Sequence, residues 1–176
     1  IRQLLITHSN QTIRTRAKDL MPTANVDRLS TVRQYQAALD LEGDKRRGEQ
    51  VFKNVCIACH QLDGVGQEIV PNLASLTDRI PASLLSGILD PNGVVVVKYR
   101  SFMATMNDGR EILGIIVTET STSITMKDLA NQEHTILRSE LVSLTNTGKS
   151  LMPDGLETTL TQQNMADLIA YVAGAK

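Results

Sequence analysis

Two cysteines and a histidine carry the most specific chemistry in this chain, in the stretch Cys56-Ile57-Ala58-Cys59-His60. The pattern Cys-x-x-Cys-His is the attachment site of a c-type haem. The thiols add across the two haem vinyl groups to form thioethers, and the adjacent imidazole supplies the proximal iron ligand. The chain has only these two cysteines, so none remains for a structural disulfide. Three other readings use the same residue types. A thioredoxin-like dithiol needs its pair beside a strand–helix unit, whereas this pair follows a helical pattern. A zinc site needs two further ligands at similar spacing, and there is no second cysteine pair. Two cysteines at i, i+3 of a helix can also simply be buried.

With His60 on one side of an iron, six methionines, two further histidines or water could take the other. Met21 falls among N-terminal helices and Met165 on the packed face of the last helix, where core roles are expected. Met103, Met106 and Met126 fall in strand patterns, where the flexible thioether fills gaps by default. Met152 stands in Ser150-Leu151-Met152-Pro153-Asp154-Gly155, an irregular run before the last helix. Pro153 restricts Met152 to an extended backbone, which suits a thioether presented to a metal. His134, mid-strand and expected to be solvated or cross-strand paired, is the alternative ligand. Pro71, in Val70-Pro71-Asn72-Leu73 after the loop Gly64-Val65-Gly66, is placed to offer its carbonyl to the second ring nitrogen of His60. The candidate haem-binding residues are therefore Cys56, Cys59, His60, Pro71 and Met152, with His60 and Met152 as iron ligands of one haem c.

Positioning these residues falls to two kinds of element. Residues 1–43 read as a helix–turn–helix pair broken at Met21-Pro22 to Ala24-Asn25. Ile1, Leu4, Leu5 and a structural His8 share one face; Val26, Leu29, Val32 and Leu39 share another. Such a pair buries little alone and must pack on the haem module or on a neighbour. Asp44 is placed to cap the next helix, whose Gly48, Val51, Phe52 and Val55 form one face leading into Cys56. Thr161 caps a final helix with Met165, Leu168, Ile169 and Val172 on one face. These two helices form a candidate pair, Gly48 allowing close approach near Tyr171. Between them the period changes to two. Tyr99–Met106 and Glu111–Thr118 alternate about Asn107-Asp108-Gly109, a strong hairpin signal, with Leu113, Ile115 and Val117 on one side. Ser123–Met126 and His134–Leu137 form a second hairpin. Residues of about 94–144 thus read as a small antiparallel β unit of four or five strands, entered at Pro91-Asn92-Gly93 and left at Asn146-Thr147-Gly148. The expected fold is mainly α with a β insertion.

With 18 basic and 19 acidic residues among 176, the chain lacks the basic excess that nucleic-acid binding requires. No stretch approaches the ~20 apolar residues of a membrane span. Residues 1–20 interleave charge with apolar positions, unlike a signal peptide, and the absence of an initial Met suggests a piece or processed product of something longer. The five aromatic positions, Tyr35, Tyr99, Tyr171, Phe52 and Phe102, leave room for a haem to supply the large flat apolar surface of the core.

Taken together, Gly48, Phe52, Cys56-x-x-Cys59-His60, Pro71-Asn72-Leu73, Met152-Pro153 and Asp167-Leu168-x-x-Tyr171 resemble class I cytochrome c. The lead-in Gly43-Asp44 to Phe52, Asp90-Pro91, Asp108-Gly109-Arg110 and Ser150–Leu156 are similar, more closely, to the c-type haem-binding domain at the C-terminus of large proteins of planctomycetes and related bacteria. Gln67-Glu68-Ile69-Val70 departs from that pattern, which has a glycine beside the proline. The resemblance covers about residues 43–173. It implies a cytochrome c helical core split by a β-rich insertion, often fused to helical repeats and a sugar-dehydrogenase-like propeller. Residues 1–42 would be the tail of the repeats and 43–176 the haem domain. His60 and Met152 stand 92 positions apart, and removing the β unit restores the distance of a compact cytochrome.

These readings converge on one-electron transfer rather than catalysis, with a redox protein or a fused dehydrogenase domain as electron donor and the periplasm, where c-type haem is attached, as compartment. The alternative is a gas- or peroxide-binding haem with a labile distal ligand. A third is an interaction module whose β edge docks a partner.

Overall fold

A computed structural model describes residues 8–20, 26–67, 69–70, 72–93 and 95–175. Ile1, Leu4, Leu5, Met21, Pro22, Ala24, Asn25 and Pro71 lie outside the described residues. The helices are α1 (Gln11–Leu20), α2 (Val26–Gln34), α3 (Lys45–Val55), α4 (Pro81–Leu89) and α5 (Gln162–Ala173). A two-stranded hairpin, β1 (Gln61–Leu62) and β2 (Val65–Gly66), follows His60. A five-stranded antiparallel sheet holds β3 (Arg100–Met106), β4 (Glu111–Glu119), β5 (Ser123–Asp128), β6 (Glu133–Leu137) and β7 (Leu141–Ser150). Helix and sheet both make substantial parts of the fold, helix the larger, with a helical cluster joined to an antiparallel sheet.

The α3–α5 pair is the centre of the helical part. Asp44 caps α3 by accepting from Arg47 N at 2.8 Å. Thr161 and Asn164 form a reciprocal capping box on α5. Gly48 is buried where the helices cross, and a Cβ there would stand 2.0 Å from Asp167 O and 2.7 Å from Tyr171 Cβ. Phe52, fully buried, meets Tyr171 with ring centroids 5.6 Å apart.

One ion pair locks this crossing. The Asp167 carboxylate, on α5, is buried (side chain 1 % exposed) and accepts from Arg47 Nε at 2.7 Å and Nη2 at 2.8 Å, from Asp44 N at 2.8 Å and from Gln163 Nε2 at 3.0 Å. The Arg47 hydrogen bond above all holds Asp167 down at about 2, below its ordinary 3.8. Because the folded value is the lower one, this stabilisation is complete above about pH 4 and is lost as pH falls through about 2. Urea midpoints measured between pH 5 and 2 should fall steeply at the acid end, and Asp167→Asn should flatten that fall.

The N-terminal part packs on this core less regularly than its periodicity suggests. The helix α2 ends at Gln34 and a tighter 3-10 turn runs over Gln36–Asp40. Leu29 and Leu39 are therefore not on one helical face. Leu29 is exposed, Val32, Tyr35 and Leu39 pack on the core, and the buried residue of the turn is Ala38. His8 is exposed, its Nδ1 accepting from Asn10 N at 3.1 Å, and is not a core histidine.

The sheet runs in the order β6-β5-β4-β3-β7, a meander whose last strand returns to the free side of β3. One face is its own small core, built on Ala104, Met106, Ile124, Met126 and Ile136. On the opposite face of β4, Ile115 is buried while Leu113 and Val117 stay exposed, because only the centre of that face is covered. The cover comes from Ile69, Val70 and Leu151, which join sheet and helical part in one cluster. The fifth strand continues to Ser150, so Asn146-Thr147-Gly148 does not mark the sheet's exit. It forms a bulge opposite Arg100–Phe102, with Gly148 at φ +71°. The sheet thus delivers the chain directly to Met152.

Candidate functional site

The Cys56–His60 motif leaves α3 as a hydrogen-bonded turn. Cys56 N donates to Phe52 O at 2.8 Å, and both Cys59 N and His60 N donate back to Cys56 O at 3.1 and 2.9 Å. The β1–β2 hairpin then folds against the motif. Gln67 N donates to Ile57 O at 2.9 Å and Ile69 N to Cys59 O at 3.2 Å. Gly66, at φ +97°, lies so close that a Cβ would meet His60 O at 2.2 Å. Backbone contacts thus hold the histidine's main chain in place. Both cysteines are unpaired thiols. Burial pushes the Cys56 thiol up to about 12, with Cys59 adding to the shift, and burial raises Cys59 as well. Among the described residues, no three His, Cys, Asp or Glu side chains gather as a metal cluster.

Cys56, His60 and Met152 line one cavity of about 320 Å³. Its wall is aliphatic, including Leu73, Leu84, Ile88, Leu160, Leu168 and Val172, and the exposed Asp78 and Ser83 supply the polar margin. A second cavity of about 140 Å³ shares His60, Gly87 and Met152 and extends past Pro91, Val96 and Tyr99. Protein interiors pack with few voids larger than a water, and water enters only where polar partners receive it. An apolar space of this size edged by a thiol, an imidazole and a thioether fits a flat apolar macrocycle with a metal at its centre. Cys59 sits to the side, packed against the Ile69–Val70–Ile115–Leu151 cluster.

A helical glycine supports the same fit. Gly87 lies inside α4, where glycine costs about 0.5–1 kcal/mol relative to alanine. A Cβ at Gly87 meets nothing within 4 Å. No protein neighbour demands the glycine, and it lines both cavities along with His60 and Met152. A bulky side chain there would project into the space that an occupant of these cavities needs. Gly87→Leu should therefore reduce covalently loaded protein by about tenfold, through the ~1–3 kcal/mol of overpacking a filled space causes. Haem-stained denaturing gels read the loading; circular dichroism of the haem-free chain should show helix content unchanged or higher.

Met152 is half-buried on a loop with little regular structure, held by side chains from elsewhere. Met152 N donates to Ser150 Oγ at 3.0 Å, and Ser150 N donates to Asn92 Oδ1 at 2.9 Å. The other end of the Asn92 amide donates to Asp154 Oδ2 at 2.9 Å. Asn92 thus grips the chain on both sides of Met152. It was visible in sequence only as part of a turn, and nothing in its spacing ties it to Met152. Asn72, next to Pro71, donates to Gln61 Oε1 at 3.0 Å and accepts from Ala74 N at 2.9 Å. The other candidates lie apart from the cavities. His134 pairs with Asp128 at 2.7 Å in the second β hairpin. Met106 and Met126 are buried in the sheet core, and Met165 in the helical core.

Residues 46–113 match the protein-family model of cytochrome c. The matched stretch runs from the first turn of α3 through the Cys56–His60 motif, α4 and β3 into β4, and over this part the chain is similar to cytochrome c. It ends before Met152 and α5. No curated protein matches the chain. Among the described residues, no helix is long and apolar enough to cross a membrane.

Proposed function

We propose that the protein carries single electrons between redox partners through one haem c, bound covalently by Cys56 and Cys59 and ligated by His60 and Met152. The observation that carries this reading is the apolar cavity on which Cys56, His60 and Met152 converge, although His60 and Met152 are 92 positions apart. When bound, the haem supplies an iron that gains and loses one electron without a change in coordination. The protein's residues do the rest. Cys56 and Cys59 tether the ring, so it is not exchanged during turnover. Two protein ligands leave no open position for a substrate, which separates a carrier from a gas or peroxide site. The Met152 thioether favours the ferrous state, and the aliphatic wall excludes water, favouring the less charged ferrous form further.

In this reading residues 43–176 form the haem domain, divided by the sheet, and residues 1–42 lead into it. The near-balanced charge gives weak long-range steering, so docking depends on contact rather than on a net field. The electron donor is a dehydrogenase, fused or associated, as the resemblance to planctomycete haem-binding domains implies. Haem attachment outside the cytoplasm places the reaction in the periplasm or an equivalent compartment.

The optical spectrum of the oxidised holoprotein tests the assignment. A low-spin spectrum with a sulfur-to-iron charge-transfer band is expected; a high-spin spectrum, or absence of that band, would remove Met152 as ligand. Cys56→Ala/Cys59→Ala should lose all haem in a denaturing gel, and haem retained there would end the thioether reading.

A further inference from the structure

Arg28 is among the few charged residues buried in this protein (8 % exposed), and it lies in the N-terminal part, outside the haem motif. Its guanidinium joins two walls of the cavity. Nε and Nη2 donate to Leu89 O, the last residue of α4, at 2.8 and 2.5 Å. Nη1 and Nη2 donate to Glu157 Oε1 and Oε2, each at 2.6 Å, in a bidentate pair. Glu157 belongs to the chain between Met152 and α5. Seven residues after Arg28, Tyr35 Oη lies 2.9 Å from Glu157 O and 2.5 Å from Leu160 O, shared between two carbonyls of the same loop.

The loop itself offers little to replace these bonds. Its internal backbone bonds are Thr158 N to Gly155 O and Thr159 N to Leu156 O, each closing a short turn. Asn92 fixes its beginning and Arg28 with Tyr35 its end. Removing Arg28 leaves a mostly buried carboxylate and a helix-end carbonyl without their cation, which the loop can relieve only by moving.

We infer that Arg28 is a positioning residue for the methionine ligand, and that through it the N-terminal segment of residues 26–40 controls how readily Met152 leaves the iron. The inference rests on the Met152 ligation proposed above. A shift of α2 relative to α4 would strain the Arg28–Glu157 pair and loosen the loop, so whatever packs on α2 can tune the haem's sixth ligand without touching the haem.

The test uses holoprotein of the full chain and the rate at which reduced protein binds carbon monoxide, which requires Met152 to depart. Arg28→Gln should raise that rate about tenfold and bring loss of the charge-transfer band to lower pH. Arg28→Lys, which keeps charge but not the bidentate fork, should fall between. Arg47→Gln breaks the other arginine–carboxylate lock, at the α3–α5 crossing. It should lower the denaturation midpoint and leave the carbon monoxide rate unchanged. An Arg28→Gln rate equal to wild type, or an Arg47→Gln rate raised as much, overturns the inference. If Arg28→Gln does not fold, Tyr35→Phe removes one hydroxyl and should still raise the rate about threefold; no rise would overturn the inference equally. Met152→Ala in the same series separates the two failures. If it behaves as wild type, the ligand assignment falls and this inference with it; if it differs while Arg28→Gln does not, only the inference falls.

Discussion

Met152→Ala should abolish the sulfur-to-iron band, open the reduced protein to carbon monoxide and lower the reduction potential, while leaving the fold in place. Met152 is only half-buried and on a loop, so truncation removes few packing contacts, and a stability loss of no more than about 1–2 kcal/mol is expected. The functional loss is larger. A thioether binds ferrous iron better than ferric, and each tenfold of that preference corresponds to ~59 mV for a one-electron couple. Losing about a hundredfold lowers the potential by roughly 120 mV. Equilibrium redox titration and carbon monoxide difference spectra measure both effects. Met106→Leu, Met126→Leu and Met165→Leu should leave potential and spectrum unchanged, since those side chains fill the sheet and helical cores. A Met152→Ala spectrum identical to wild type would contradict the ligation.

Gly48→Ala should be strongly destabilising. The added carbon would stand 2.0 Å from the backbone oxygen of Asp167 and 2.6 Å from its carbonyl carbon. A helix backbone cannot rotate away as a side chain does, so α3 and α5 must separate. That separation disturbs the Phe52–Tyr171 contact and the buried Asp167 network at the same crossing. Against it stands the helix-propensity gain of glycine to alanine, about 1 kcal/mol. Overpacking commonly costs about 1–3 kcal/mol and more where it meets main chain, so a gross cost of roughly 3–5 kcal/mol leaves a net loss of roughly 2–4 kcal/mol. In a protein of this size that lowers Tm by about 5–15 °C, measurable by calorimetry. Gly87→Ala makes the contrast. It adds the same methyl to another helix, with nothing within 4 Å, and in the haem-free chain should stabilise rather than destabilise. An equal loss at both positions would show that the crossing is not what Gly48 serves.

These two glycines mark the limit of reading the chain alone. Gly48 was legible because it sits on a patterned helix face with Phe52 and a partner helix in view. Gly87 stands in Pro81–Leu89 with no pattern that distinguishes it from a tolerated glycine. The same limit separates the hairpins from their surroundings. Asn107-Asp108-Gly109 announces its turn locally, whereas the extension of the last strand to Ser150 depends on pairing with Arg100 of β3, fifty positions earlier. Leu39 differs for a related reason: the helical period of α2 does not carry past Gln34, and Leu39 packs on the core from the 3-10 turn that follows.

What the sequence determined by itself is chemistry and local structure. The Cys56–His60 spacing defines how a haem would be attached, Asp44 and Thr161 define two helix starts, and Pro153 defines the backbone before it. Each follows from interactions spanning a few residues. The tertiary structure decided which methionine shares a cavity with His60, that the cavity is empty of protein side chains, and that Asn92 and Arg28 hold the Met152 loop. A void is the difference between distant surfaces, and a buried arginine finds its carboxylate 129 positions away only after the chain has folded.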